Sequence, residues 1–273
     1  MLQHFLPVIF AVFVWWFGTA LVFLLDQLPR RSFRWTMTGA SVVLVGAMYG
    51  AVALADNQSI SAAYLGFACG VLVWAWGEIG FLTGMVTGPN RKPCPPGAEG
   101  WQRFIAALRT IIHHEIAILG LGLVLLYLLW GASNQVALHT YIVLWVMRQS
   151  AKINIYLGAR NLGESMLPPH LQHLASYFRK RTMNALFPVS ITGGTVAVVV
   201  LIQQGLGADP FTATASTLLG ALMALAVIEH WFLMLPLPLD GLWTWSRPMA
   251  GQPQVTPAER PQHVDTGRQP LRP

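Results

Sequence analysis

Seven apolar runs, each long enough to cross a bilayer, dominate this chain: Phe5–Leu25, Trp35–Ala55, Ser61–Val86, Phe104–Trp130, Val136–Leu157, Pro188–Gln204 and Phe211–Leu235. A hydrocarbon core about 30 Å thick is crossed by roughly 17–25 apolar residues in a helix. The runs therefore predict an all-α, polytopic membrane bundle with about seven transmembrane helices. Composition agrees, since 54% of the residues are hydrophobic and only 10% are charged.

The 17 Lys and Arg residues fix the orientation. They lie between runs 1 and 2, around the start of run 4, from the inner half of run 5 to the start of run 6, and after run 7. The other connections hold none of them. Basic residues stay on the cytoplasmic side during insertion. The amino end is then outside and the carboxyl end inside, which requires an odd number of spans. Run 5 is the weakest span, because Arg148 and Lys152 interrupt it. Removing it would destroy the one-sided sorting, so it is retained.

Arg30, Arg31 and Arg34 follow the first run and no basic residue precedes it. It reads as an anchor, not a cleaved signal peptide. Cys69 and Cys94 make no disulfide framework. The net charge of +6 suits anionic lipid at the inner leaflet and is no sign of nucleic-acid binding.

Residues 1–246 form the expected seven-span domain. Residues 247–273 hold six prolines and no aromatic residue, the composition of a disordered cytoplasmic tail. Thr87–Gly100 has four prolines and reads as a stiff inner loop. Pro168-Pro169 can open a short helix carrying Leu171, Leu174 and Phe178, either interfacial with Arg179-Lys180-Arg181 among headgroups or a solvated connecting helix. Gly46/Gly50, Gly66/Gly70 and Gly80/Gly84 are each four apart and predict close helix contacts.

Ionisable residues inside the runs carry the chemistry, because they are costly in hydrocarbon. Glu78, His113-His114-Glu115, Arg148 with Lys152, and Glu229-His230 all fall in the cytoplasmic half. Three readings compete. In the first, Glu78, Glu115 and Glu229 neutralise Arg148 and Lys152 in a buried network. In the second, His114 or His230 ligates the magnesium of a chlorophyll. In the third, Glu78, His114, Glu115 and His230 form a metal site of a membrane enzyme acting on a pigment or lipid. The last lacks the histidine boxes of membrane di-iron enzymes, and no phosphate loop, serine elbow or HExxH is present.

Several stretches together resemble a family. They are Phe13-Val14-Trp15-Trp16-Phe17, Leu28 through Trp35, Thr87-Gly88-Pro89 through Pro93-Cys94-Pro95-Pro96-Gly97, and His114-Glu115. They continue with Leu144 through Lys152, Leu167 through Leu171, and Glu229-His230-Trp231-Phe232. The chain is similar over nearly its whole length to the photosynthetic complex assembly protein 2 family (PuhE type) of phototrophic bacteria. The resemblance implies a non-catalytic role in assembling the reaction centre and its light-harvesting antenna, or in handling bacteriochlorophyll. Partners would be their subunits or other assembly factors, in the inner or intracytoplasmic photosynthetic membrane. The family pattern puts an aromatic residue where His113 stands, which implies that His114 is the better ligand candidate.

Overall fold

A computed structural model of the chain describes residues 2–236. The tail expected to be disordered, 247–273, lies outside the described residues. The seven runs become seven α-helices: α1 Leu2–Asp26, α2 Phe33–Ala53, α3 Ile60–Leu82, α4 Gly100–Leu128, α5 Val136–Leu157, α6 Leu186–Gly205 and α7 Pro210–Met234. All but α5 are long and apolar enough to cross a membrane. The protein is a multi-pass helical membrane bundle.

Polar side chains start three of these helices. Ser59 Oγ accepts from Ala62 N at 3.2 Å before α3, and Asp209 accepts from Phe211 N and Thr212 N before α7. Asn184 accepts from Leu186 N at 2.9 Å and Phe187 N at 3.1 Å at the start of α6. Each satisfies amides that a helix start leaves without partners.

α5 is the polar exception, yet it runs from one end of the bundle to the other. At its start, Asn134 N donates to Ala55 O at 2.8 Å, tying it to the α2–α3 connection. At its finish, Ala159 N donates to Arg179 O and Arg181 N to Ala159 O, both at 3.0 Å. α5 is shielded by α3, α4, α6 and α7, against all of which it packs. Its polarity is tolerated because neighbours cover much of the charged face, Lys152 more fully than Arg148.

Glycines set the closest approach. A methyl added at Gly70 would lie 2.5 Å from Ala137 O and 2.7 Å from Thr140 Cβ, so the backbone of α3 meets both the backbone and a side chain of α5 there. Gly66 and Gly50 also face neighbours, Val136 Cβ at 3.3 Å and Cys69 Sγ at 3.1 Å. The expected pairs are only partly contacts. Gly46 has nothing within 4 Å, and Gly84 lies past the end of α3 at φ +73°. Gly84 turns the chain so that Val86 N reaches back to Gly80 O at 2.8 Å. That turn is why α3 stops at Leu82 although the apolar run continues to Val86.

The connection after α5 departs from expectation. Its helical part is a 3-10 helix, Pro169–Tyr177, and Phe178 has already left it with φ −78° and ψ 149°. Three residues per turn align Leu171, Leu174 and Tyr177, and all three are buried. Leu171 and Leu174 pack on Phe81, with Ile111 beside them. The apolar face seals the base of α3 and α4 instead of entering the leaflet. His170 Nε2 lies 2.7 Å from Leu82 O, capping α3, and burial holds this imidazole below its usual pKa.

The connections 27–32, 83–99 and 158–185 share one end of the bundle, and the basic residues of the loops lie there. Reporter fusions should show periplasmic activity after Ile60, Ser133 and Ala208, and cytosolic activity after Arg31, Asn90 and Arg179. Cytosolic activity after Ser133 would remove a crossing at α4 or α5.

Candidate functional site

Arg148 and Lys152, one turn apart on α5, each meet a carboxylate from a different helix. Arg148 Nη2 donates to Glu78 Oε2 of α3 at 3.0 Å, and Lys152 Nζ donates to Glu115 Oε1 of α4 at 2.7 Å. The Gln149 amide donates to the other oxygen of Glu115. The two pairs differ in cover. Lys152 and Glu115 side chains are 19% and 18% exposed, whereas Arg148 is 42% exposed against 15% for Glu78. Two cations against two carboxylates make the cluster neutral in sum, which is the condition for holding charges inside a bundle.

His114 stands at its centre. Lys152, Glu78, Glu115 and Arg148 all act on it electrostatically. Its ring is 1% exposed, lies 4.8 Å from the Phe81 ring, and faces Gly77 of α3, where a methyl would be 3.9 Å from Cε1. His113 points outward. His114 Nδ1, Glu78 Oε1 and Arg148 Nε are buried without a hydrogen-bond partner. The backbone here is unusual as well. His114 N donates to Thr87 O at 2.9 Å and Asn90 N to Arg109 O at 3.1 Å, both outside the helix's own ladder. The loop 87–90 therefore lies against the backbone of α4, and only glycine fits at position 88, where a methyl would come within 2.2 Å of Arg109 O.

His230 belongs to a separate network. Its Nδ1 lies 2.8 Å from Ala226 O and its Nε2 2.9 Å from Ser150 Oγ. With a carbonyl beside it, Nδ1 carries the proton, and the Ser150 hydroxyl beside Nε2 donates to Ser190 Oγ, which in turn donates to Leu186 O. Ser150 Oγ is 2.8 Å from Ser190 Oγ, and Asn154 Nδ2 donates to Ser190 Oγ at 3.1 Å. Asn184 continues the chain, donating to Asn154 Oδ1 at 3.0 Å and Gly158 O at 2.8 Å. Sequence reading missed Ser150, Asn154, Ser190 and Asn184, because neutral polar residues raise no alarm in an apolar run. The available signal was spacing: Ser150 and Asn154 are four apart, off the Arg148–Lys152 face.

Glu229 does not complete the expected three-carboxylate network. Among the described residues it is in neither ion pair. It is exposed on the bundle surface and hydrogen-bonded to the Trp15 side chain of α1, with Arg148 within electrostatic reach.

Magnesium ligation of bacteriochlorophyll requires a histidine nitrogen open to a space as broad as the macrocycle. Neither candidate offers one. His114 is enclosed by Phe81, Gly77 and Ile118, and His230 is 1% exposed with a protein oxygen against each nitrogen. The two histidines do not fit the pigment in this arrangement. Among the described residues, no group of three His, Cys, Asp or Glu side chains is placed to hold a metal. Glu78, His114, Glu115 and His230 are thus split between two networks.

Fold and cluster define a helical integral membrane protein whose buried charges are matched helix to helix. The chain belongs to the DUF3623 family, described as a protein of unknown function, whose model matches residues 1–254. It is 38% identical over 253 residues to the "uncharacterized 30.4 kDa protein in puhA 5′ region" of Rhodobacter capsulatus, covering 91% of this chain and 92% of that one. No solved structure matches it.

Proposed function

We propose that this protein is an integral membrane assembly factor for the photosynthetic reaction centre and its light-harvesting antenna. The observation that carries the proposal is the relative in the 5′ region of puhA, a photosynthesis gene, with similarity across the whole bundle. The protein would reside in the inner or intracytoplasmic photosynthetic membrane, near anionic lipid at its basic end. Its partners would be complex subunits or other assembly factors. The role proposed is non-catalytic, with ion pairs that organise the helices. Bacteriochlorophyll, if handled, would meet the membrane-facing surface and not His114 or His230.

Deleting the gene in a phototrophic host tests this. The expected result is less reaction centre–antenna complex relative to free bacteriochlorophyll precursors, read by near-infrared absorption of membranes. Normal complexes with one missing pigment-pathway product would point to catalysis and overturn the proposal.

A further inference from the structure

The third intramembrane carboxylate lies beside a groove. Between α1 and α6, floored by α7, is an apolar trough of about 450 Å³. Val8 and Val12 form one wall, Ile202 stands on the other, and Gly220, Ala221 and Ala224 lie in the floor. From Thr217 to Ile228 the floor runs about 16 Å along α7 at 1.5 Å per residue. Floor residues this small let another backbone approach closely. One residue beyond Ile228 is Glu229. One turn beyond Val12 is Trp15, which hydrogen-bonds Glu229, so along both helices this contact follows directly on the residues that line the trough.

We infer that this trough seats a single membrane-spanning helix of a partner subunit, one that carries a lysine or arginine at the depth of Glu229. The inference rests on the assembly reading for the partner's identity, but its geometry stands alone. Charge selects the occupant. Among the described residues Glu78 and Glu115 already pair with Arg148 and Lys152, whereas Glu229 is in neither ion pair: it hydrogen-bonds the neutral indole of Trp15, and the Arg148 within its electrostatic reach is held by Glu78. An acyl chain would fill the trough and leave the carboxylate facing hydrocarbon. A second copy, paired by a two-fold axis along the membrane normal, would bring two Glu229 side chains to one depth, like charge against like. A helix with a cation there satisfies both the shape and the charge.

The test uses the full chain, labelled with a donor fluorophore, in phosphatidylcholine vesicles. Two acceptor-labelled leucine–alanine host helices are added, identical except for one lysine or leucine at the depth of Glu229. The lysine helix should associate about threefold to tenfold more tightly, the size of one interhelical polar contact. Glu229→Gln should abolish that preference, and Ala224→Phe, which fills the floor, should weaken both helices. Unchanged thermal unfolding of the two variants separates these effects from misfolding. Equal association of the two helices, or indifference to Ala224→Phe, overturns the inference. So does energy transfer between two labelled copies that Ala224→Phe abolishes, since it gives the trough to a second copy. In cells, Ala224→Phe should fail to complement the deletion. Full complementation overturns the trough and leaves the assembly reading standing. Normal complexes in the deletion strain sink the assembly reading whatever the vesicles show.

Discussion

Lys152→Ala is expected to strip the protein from the membrane fraction, and Lys152→Ala with Glu115→Gln to restore most of it. Both partners are about four-fifths covered, so removing the ammonium leaves a carboxylate inside the bundle. Breaking a buried pair by removing one partner costs about 3–5 kcal/mol, a large share of the stability of a helical domain. The Gln149 amide still donates to Glu115, which places the loss toward the lower end. The rescue is specific. Glu78→Gln should not repair Lys152→Ala, but it should repair Arg148→Ala, whose own effect is milder because Arg148 is 42% exposed. Accumulation in membranes and thermal unfolding in detergent read the result. If Lys152→Ala accumulates as the wild type does, or if Glu78→Gln rescues it equally well, the pairing described here is wrong.

Gly88→Ala should be as damaging, for a different reason. The added methyl would sit 2.2 Å from Arg109 O and 2.5 Å from the Thr110 carbonyl carbon. Both belong to the backbone of α4, so no flexible side chain can move aside. Overpacking usually costs about 1–3 kcal/mol, and a backbone obstacle puts this substitution above that range. The loop should detach and release three bonds to α4: Thr87 O from His114 N, Asn90 N from Arg109 O, and Asn90 Nδ2 from Ala106 O. Gly46→Ala is the control, since nothing lies within 4 Å of its added methyl. There alanine should be neutral or stabilising by up to about 1 kcal/mol, because it favours helix over glycine. Equal unfolding temperatures for the two variants would contradict the docked loop.

The helices were legible because an apolar run of membrane-crossing length is visible directly in the residues. α5 coincides with its run, Val136–Leu157, and the other boundaries move by a few residues for local reasons such as the turn at Gly84. The ionisable residues of the cluster were legible too, since charge in an apolar run is conspicuous. Their partners were not. Nothing in the sequence tells that Arg148 meets Glu78 while Glu229 turns to Trp15, because helix rotation decides which faces meet. The His230–Ser150–Ser190–Asn154–Asn184 chain was hidden for the same reason, its members being individually unremarkable. The segment after Pro168 misled through its period: Leu171, Leu174 and Phe178 fit an α-helix, whereas burial follows Leu171, Leu174 and Tyr177.

The order of synthesis gives the two ion pairs a further meaning. Glu78 and Glu115 leave the ribosome before Arg148 and Lys152, each on a helix long and apolar enough to cross a membrane. α5 is not such a helix. Alone, its two cations in the inner half of the helix would oppose insertion, each by up to about 2.5–3.5 kcal/mol at the helix centre and by less toward the helix end, where Lys152 lies. By the time α5 emerges, two acids already wait at the right depth, one on α3 and one on α4. The nascent chain thus prepares the receptor for its own most reluctant segment. Shortening the delay between α4 and α5, or moving an acid to α6 or α7, would then harm biogenesis even where the finished bundle was equally stable.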